Sequence, residues 1–500
     1  MEANKPSLFR IIVPAFPGIN VFTRQAKATT ALGPIMVAAA ANKSLGLGWR
    51  VEVVDENNYR GPRDNDMLPD HAVLQKSDPA KIVGFYCGLT STIERVWDLA
   101  KFYKEQGVSV IAGGWHAHYR PEETLEHNID VVVHGDAELI IGQLVESLAR
   151  KESLENVSGI SFRQDREVKR NAPFMLKNEN LDSFPYPDFG LLRFAKVRIY
   201  PIGRIRGCGE NCEFCSVKGK PRYASGKHLY DTVRWLVETR GARRFFIVDD
   251  RLEQDLRGTI DFFQRIYNKY GNRLCFTVQI RLGVVKNVAL LDAMKKAGVR
   301  HVCVGFESPI DEDLKAMRKG YLSLHMIEWT KVLRRYFWIH GMFIAAYPLK
   351  GQQSSLRPEE IVRRFRRFIR RARLDSIQVL LPVPLVGTDL RKRLGERVFP
   401  LNLVPWRMYD GTYLCFRPDS MSVEESQWIG IKLMGSFYRR ISLVRIGIRT
   451  IIFPLDFLIR GWSKWHHSWR RDIVNYYGYL LVRKRLRKKR DRDFIGILEQ

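Results

Sequence analysis

The sequence has no run of about 18 uninterrupted apolar residues, which excludes a polytopic membrane protein. It is poor in cysteine. Seven in 500 residues, an odd number, do not make a secreted disulfide framework, so a reducing cytoplasm is the expected compartment. Met1 to Phe9 carry one Lys and no long apolar segment, so no secretory leader is expected. Acidic residues are scarce beside basic ones: 54 Asp+Glu against 82 Lys+Arg, a formal net charge of +28. Such an excess points to an anionic partner, whether nucleic acid, a membrane surface or an acidic substrate, and composition does not choose among them. What the chain does have is an ordinary 45% of hydrophobic residues, enough for large cores, which excludes a mainly disordered chain. The length suggests about three domains.

Residues 1–150 alternate apolar runs (Phe9–Val13, Val51–Val54, Ile82–Tyr86, Val108–Ile111, Val131–Val133) with helical segments such as Pro34–Leu45 and Thr92–Gln106. That alternation predicts a doubly wound parallel sheet, whose ligands sit beyond the carboxyl ends of the strands. Three loops there have suitable chemistry: Gly88 to Thr92, which holds Thr90 and Ser91; Gly113-Gly114-Trp115-His116; and Gly135-Asp136-Ala137-Glu138. Glycine lets the backbone approach a large ligand, and hydroxyls and amides can bond its polar edge. A connector follows over 151–195, stiffened by Pro185 and Pro187. Residues 196–390 alternate again, with candidate strands at Val197–Arg204, Phe245–Val248, Cys275–Ile280, Val302–Phe306, Met342–Ala346 and Ile377–Leu381. Six strand–helix units predict a partial or complete parallel barrel with its site at the strand carboxyl ends. A third region, 391–500, begins with Trp406 to Phe416, continues through a helical stretch at Ser422–Arg440 and ends in a basic, aromatic tail.

Three thiols, Cys208, Cys212 and Cys215, fall within eight residues on the loop leaving the first barrel strand. Thiolates ligate iron–sulfur clusters and zinc. Three can hold three irons of a 4Fe–4S cluster and leave the fourth open. Zinc would want a fourth ligand, and no matching CxxC or HxxxH pair occurs elsewhere. Three coincidentally close structural thiols are the remaining reading.

The spacing CxxxCxxC, with Phe214 before the third Cys, resembles the radical S-adenosylmethionine superfamily. The resemblance implies that S-adenosylmethionine chelates the open iron and that reduction of the cluster yields a 5′-deoxyadenosyl radical. It places Phe214 by the adenine, and Asp249-Asp250 near the cofactor's amino group. Gln279 and Arg281 fall around the ribose and carboxylate, Glu307 and Ser308 near the ribose, and Gly341 to Ile344, with Pro348 after it, along the adenine. Sheet domain, connector and barrel together, over residues 8 to 435, resemble the cobalamin-binding subfamily. There the sheet domain, Rossmann-like, cradles cobalamin over the barrel mouth, and Thr90, Ser91, Gly113, Gly114, Gly135 and Glu138 fall where its loops approach. The D-x-H-x-x-G signature is absent, and Asn57 stands where its cobalt-ligating His would be. His116 and His118 read as polar loop residues. The related methylthiotransferases carry three N-terminal cysteines, whereas residues 1–195 here hold only Cys87. Cys275 and Cys303 read as core thiols, and Cys415 is unpaired.

These features point to an enzyme that C-methylates an unactivated carbon of an apolar, lipid- or isoprenoid-like substrate, fed with electrons by a flavodoxin or ferredoxin. Ring formation or oxidation without methyl transfer, RNA modification on the same core, and a non-catalytic cobalamin or redox sensor are the rivals. The tail from Arg439 to Gln500 has 16 Lys+Arg against 5 Asp+Glu, interleaved with apolar stretches, three tryptophans and the basic run Arg483–Arg490. It suits an anionic membrane surface, which would make the chain cytoplasmic and peripheral at the inner face. Nucleic acid and a merely solvated tail are the other readings. Arg363–Arg373 holds seven arginines, yet Ile361, Phe365, Phe368, Ile369 and Ala372 share one face, as on an outer barrel helix.

Overall fold

The structure, a computed structural model, describes residues 5–18, 23–165, 167–174, 181–349, 356–419, 421–486 and 494–498. Two parallel sheets carry the fold. The first is built from β1 (Ser7–Val13), β2 (Trp49–Asp55), β3 (Ala80–Tyr86), β4 (Ser109–Gly113), β5 (Val131–Val133), β6 (Ile160–Gln164), β7 (Glu167–Arg170) and β8 (Leu192–Arg193), in the order β7-β6-β5-β4-β3-β1-β2-β8. Only the β5–β6 and β6–β7 pairings are antiparallel. Helices α1 (Leu32–Ser44), α2 (Ile93–Glu105) and α3 (Ile141–Arg150) cover it, so β1, β3 and β4 read as near-continuous apolar runs. The run Ala38 to Ala41 lets α1 lie close on the strands.

The chain beyond residue 150 adds β6, β7 and β8 to this sheet, which the sequence pattern does not announce. β7 reads Glu-Val-Lys-Arg, an edge strand whose charged side chains face water and hide the alternation. β8 is held by charge. Arg10, fully buried in β1, donates from Nε to Glu52 Oε1 at 2.6 Å and from Nη2 to the Asp78 carbonyl at 2.8 Å. Arg193 of β8 donates to Glu52 Oε2 and Asp78 Oδ2, each at 2.8 Å. One acid in β2 thus serves two guanidiniums from two neighbouring parts of the chain.

The second sheet follows chain order. It comprises β9 (Tyr200–Ile202), β12 (Arg244–Ile247), β13 (Cys275–Ile280), β14 (Val299–Glu307), β15 (Trp338–Ile344) and β16 (Ser376–Leu380), all parallel. This is the partial six-unit barrel, with helices such as α4 (Gly226–Arg240) and α5 (Pro358–Ala372) between strands. The arginine-rich α5 buries Ile361, Phe365, Phe368, Ile369 and Ala372, as its spacing predicts, and its phenylalanines pack against Phe306 and Phe343. The first barrel strand ends at Ile202 rather than Arg204. The chain turns at Gly203, and the short strands β10 (Ile205–Arg206) and β11 (Arg222–Tyr223) pair antiparallel to form an arm that carries the cysteine loop.

Helix α6 (Val423–Phe437) packs on α5 and β16. It is followed by α7 (Ile441–Ile451) and α8 (Phe453–Leu486), the latter broken at Gly461, where φ is 77° and ψ is 159°. The tail is not wholly separate from the core. His467 lies on the Trp338 ring, centroids 3.9 Å apart, with Nε2 3.2 Å from Asp375 Oδ1. The second half of α8 therefore docks at the starts of β15 and β16, opposite the ends where a barrel site forms. Of the basic run Arg483–Arg490, residues 487–490 lie outside the described residues.

Replacing Glu52 with Ala leaves the buried Arg10 guanidinium without its carboxylate. Urea unfolding is expected to show a loss of about 3–5 kcal/mol, and Glu52→Gln a smaller one.

Candidate active site

Because β1 to β5 of the first sheet and all six strands of the second run parallel, their carboxyl ends present loops on one side each, and these loops line a cavity of about 330 Å³. Gly113, Gly114, Gly135 and Glu138 line it from the first sheet. Gly203, Arg206, Asp249 and Asp250 line it from the barrel. Apolar side chains such as Phe9, Ile11, Met36 and Val133 form much of the wall. Gly114 has φ 126°, and a Cβ there would stand 2.6 Å from the Cys87 carbonyl carbon. Gly135, φ 76°, opens onto free space.

Thr90 and Ser91 are buried beside this cavity and do not line it. The Thr90 hydroxyl lies 3.3 Å from His116 Nδ1, and His116 packs edge-on against Trp406 at 5.1 Å. Burial, helped by Arg120 and Arg391, pushes His116 down to about 3, so it is a neutral packing residue. His118 pairs with His134, Nδ1 to Nδ1 at 3.2 Å. Asn57 is spent on loop geometry: its Oδ1 accepts from Phe16 N at 2.9 Å and its Nδ2 donates to the Pro14 carbonyl at 3.0 Å.

Two residues before Cys208, Arg206 bridges the sheets. It donates to Asp136 Oδ1 at 2.6 Å and to both Glu138 oxygens, while its guanidinium lies 4.8 Å from the Phe184 ring centre. Arg222 reaches Asp136 as well. Sequence reading missed this bridge, since nothing local to Arg206 says which acids it meets.

Cys212 is buried, and Cys208 and Cys215 are half-buried. Burial raises the Cys208 and Cys215 thiols, and each is raised further by the Cys212 sulfur, so the three share one electrostatic neighbourhood. Among the described residues no group of three or more His, Cys, Asp or Glu side chains converges on a single metal ion. A cluster asks for something else, one thiolate on each of several irons.

The loop is tied down at every turn. Gly207 N donates to Asp250 Oδ2 at 2.7 Å, and Gly209 N to Gln254 Oε1 at 2.8 Å. Glu210 takes Arg251 at 2.6 Å and Arg281. The carboxylate of Glu213, between the second and third cysteines, is buried. It accepts from Arg393 Nε and Nη2, both at 2.8 Å, and from the Tyr347 hydroxyl at 2.9 Å. An acid flanked by two candidate ligands is visible in sequence; its partner, 180 residues away, is not.

The other expected residues sort into three groups. Phe214 and Glu307 come together: the Lys319 ammonium, itself buried, is 2.8 Å from Glu307 Oε1 and 5.5 Å from the Phe214 ring centre. Glu307 has φ 60°, a strained conformation that turns its carboxylate toward this cation. Asp250 and Arg281 are engaged with the cysteine loop, as above. Ser308 is turned away, its hydroxyl donating to Asp313 Oδ2 at 2.6 Å and accepting from Ile310 N at 3.2 Å. Gln279 is exposed at the end of β13, beside Cys303 of β14. Lys319 had no sequence signal.

Asp249 is the exception to this economy. Its Oδ1 accepts from Arg204 N at 2.6 Å and Ile205 N at 2.9 Å, but Oδ2, buried at the cavity wall, has no partner among the described residues. Burial pushes this carboxyl up to about 6 against the two backbone donors. Three thiols on a braced loop fit a 4Fe–4S cluster. An apolar cradle rimmed by Gly114 and Gly135, with one orphan acceptor oxygen, fits a large ligand that carries amide donors, as cobalamin does.

No protein-family model matches the chain. An uncharacterised methyltransferase of Pyrococcus horikoshii is 27% identical over 450 residues, 85% of this chain and 93% of that protein. The hopanoid C-3 methylase of Methylococcus capsulatus is 26% identical over 255 residues, 48% of this chain and 47% of that one. Among solved structures, the radical S-adenosylmethionine methyltransferase TsrM of Kitasatospora setae, with cobalamin and a 4Fe–4S cluster bound, superposes with a TM-score of 0.67 at 15% identity. The match spans 95% of this chain and 99% of that one. The fold is that of the cobalamin-binding radical S-adenosylmethionine enzymes. The cysteine arm leaves the carboxyl end of the first barrel strand, and the loops of the first sheet face its base across the cavity.

Two outcomes follow from the site. The native Asp249 carboxyl protonates near pH 6, above its ordinary value of 3.8, so the protonated form's share of stability is complete below about pH 4 and is lost as pH rises through 6. Asp249→Asn is therefore expected to melt higher than wild type at pH 8, by up to about 3 kcal/mol, with the gap closing by pH 4. Arg393→Ala is expected to leave Glu213 buried and unpaired and to loosen the cysteine arm. Iron retained per chain after anaerobic reconstitution and gel filtration should fall severalfold, with Arg393→Lys recovering part of it.

Proposed function

We propose that the chain is a cobalamin-dependent radical S-adenosylmethionine methyltransferase that methylates an unactivated carbon of an apolar, lipid- or isoprenoid-like substrate. The observation that carries this reading is that the glycine-rimmed sheet loops and the base of the arm bearing CxxxCxxC, Ile205 and Arg206, line one largely apolar cavity, with Cys208 two residues further along the chain. The methyltransferase relatives support the reaction class, and the hopanoid methylase supports the substrate class.

Cys208, Cys212 and Cys215 would hold the cluster, and Gly113, Gly114, Gly135 and Glu138 would cradle cobalamin. Bound there, cluster and S-adenosylmethionine supply one-electron cleavage, drawing on a flavodoxin or ferredoxin, and cobalamin supplies a methyl carrier. The chain's own work is positional. Arg393 and Tyr347 fix Glu213 and with it the loop between the cysteines. Lys319 orients Glu307 and lies against Phe214, which together offer a polar edge and an aromatic face to a nucleoside. The Arg206 bridge keeps the sheet loops over the barrel mouth, and the apolar wall keeps water from the reacting carbon. Asp249 Oδ2 offers an acceptor to an amide donor in the cavity.

Anaerobic turnover with cobalamin, S-adenosylmethionine and a low-potential reductant is expected to release both 5′-deoxyadenosine and S-adenosylhomocysteine, and Cys212→Ala neither. 5′-Deoxyadenosine without S-adenosylhomocysteine would replace methyl transfer with ring formation or oxidation.

A further inference from the structure

Among the described residues, exposed large apolar side chains are densest at one place. From Ile441 to Trp462 the chain exposes eleven large apolar side chains. Ile451 is 80% exposed, Leu458 77% and Ile459 80%. Patches of this kind on a folded chain mark a surface that another phase or partner covers. They are not loose ends, because the helices that carry them are fastened from behind. Arg449 donates to the buried Asp472 at 2.7 Å, Trp465 Nε1 donates to the Arg449 carbonyl at 2.9 Å, and Phe453 packs on Trp465 with ring centres 4.5 Å apart. Gly461 breaks α8 between the apolar segment and the docked half. The result is an elbow, α7 running out and α8 returning, with its tip turned to solvent.

The pattern on the elbow is amphipathic. Leu455, Leu458 and Ile459 recur at three- and four-residue steps on α8 and so share one helical face, with Ile451 at the end of α7 and Trp462 just past the Gly461 break exposed on either side of them. Arg439, Arg440 and Arg445 are exposed at the base of α7. Over residues 439–462 there are five arginines and one acid, Asp456, which is buried. Among the described residues no helix is long and apolar enough to cross a membrane.

We propose that the α7–α8 elbow is a monotopic docking site for an anionic phospholipid surface, with Ile451, Leu455, Leu458, Ile459 and Trp462 entering the headgroup–acyl boundary and Arg439, Arg440 and Arg445 meeting lipid phosphates. Charge complementarity selects lipid over a second copy of this chain, which would bring a second set of the same arginines to the contact. The proposal stands on the elbow alone and does not depend on the reaction assigned above.

The full-length protein is floated with phosphatidylglycerol–phosphatidylcholine vesicles and with phosphatidylcholine alone, without substrate or cofactors. Binding to the mixed vesicles is expected, with weaker binding to the neutral ones and at high salt. The double change Leu458→Glu and Ile459→Glu is expected to cut binding to the mixed vesicles at least about tenfold while circular dichroism stays unchanged. Arg440→Gln with Arg445→Gln should lower binding to the mixed vesicles and leave the neutral ones as they were. Equal flotation of wild type and the glutamate variant overturns the proposal. So does a dimer in light scattering that the glutamate variant abolishes while flotation persists.

Discussion

The structure turns on how Arg206 is paired. One guanidinium, on a two-residue strand, meets Asp136 and Glu138 from the first sheet and stands two residues before the first cysteine. Desolvation opposes a charged group there, and the two carboxylates more than offset it, holding this guanidinium above its ordinary value. The same contact therefore fixes three things together: the register of the sheet loops over the barrel, the start of the cysteine arm and the sign of charge at the cavity rim. Parallel sheets point their carboxyl ends in a shared direction. They do not by themselves place one sheet over the other; this ionic bridge, with Arg222 beside it, ties the two at the cavity rim, and the Tyr119 hydroxyl ties them again where it donates to the Ser216 carbonyl at 3.2 Å.

A pattern runs through the site. Arg206, Arg281, Lys319 and Arg393 each have a carboxylate, and the arginine pairs join residues distant in sequence. Buried pairs of this kind add little net stability, yet breaking one is costly, so they define geometry more than they hold the fold together. The apolar cores do the latter. Asp249 departs from the pattern, with Oδ1 satisfied by two backbone donors and Oδ2 without a partner among the described residues at the cavity wall.

Period and composition were enough to read the strands, because parallel strands buried on both faces appear as short apolar runs. Val131–Val133 and Cys275–Ile280 were placed to the residue. The edge strands β7 and β8 were not, since one is charged and the other is two residues long and held by Arg193. Local motifs likewise exposed the cysteines, Gly114, Gly135 and Glu138, because their chemistry lies in adjacent residues. Thr90 and Ser91 looked equivalent to the glycines in sequence, yet both are buried outside the cavity lining, with the Thr90 hydroxyl turned to His116, as a loop's hydroxyls carry no mark of which way they face. Lys319, Arg206 and the Glu213–Arg393 clasp had no local signature at all, since a long-range ion pair is written at two places that nothing in one sequence connects.

The excess of positive charge takes on two meanings once the structure is considered. Within the site Arg206, Arg281, Lys319 and Arg393 are each paired with a carboxylate, while the exposed arginines at the base of α7 sit beside exposed apolar side chains with no acid between them. The same residue type thus braces the cysteine loop where it is buried and paired, and stands open to solvent where it lies beside the exposed apolar side chains of α7. The second half of α8 docks at the starts of β15 and β16 through His467, so it packs on the end of the barrel opposite the strand ends from which the cysteine arm leaves.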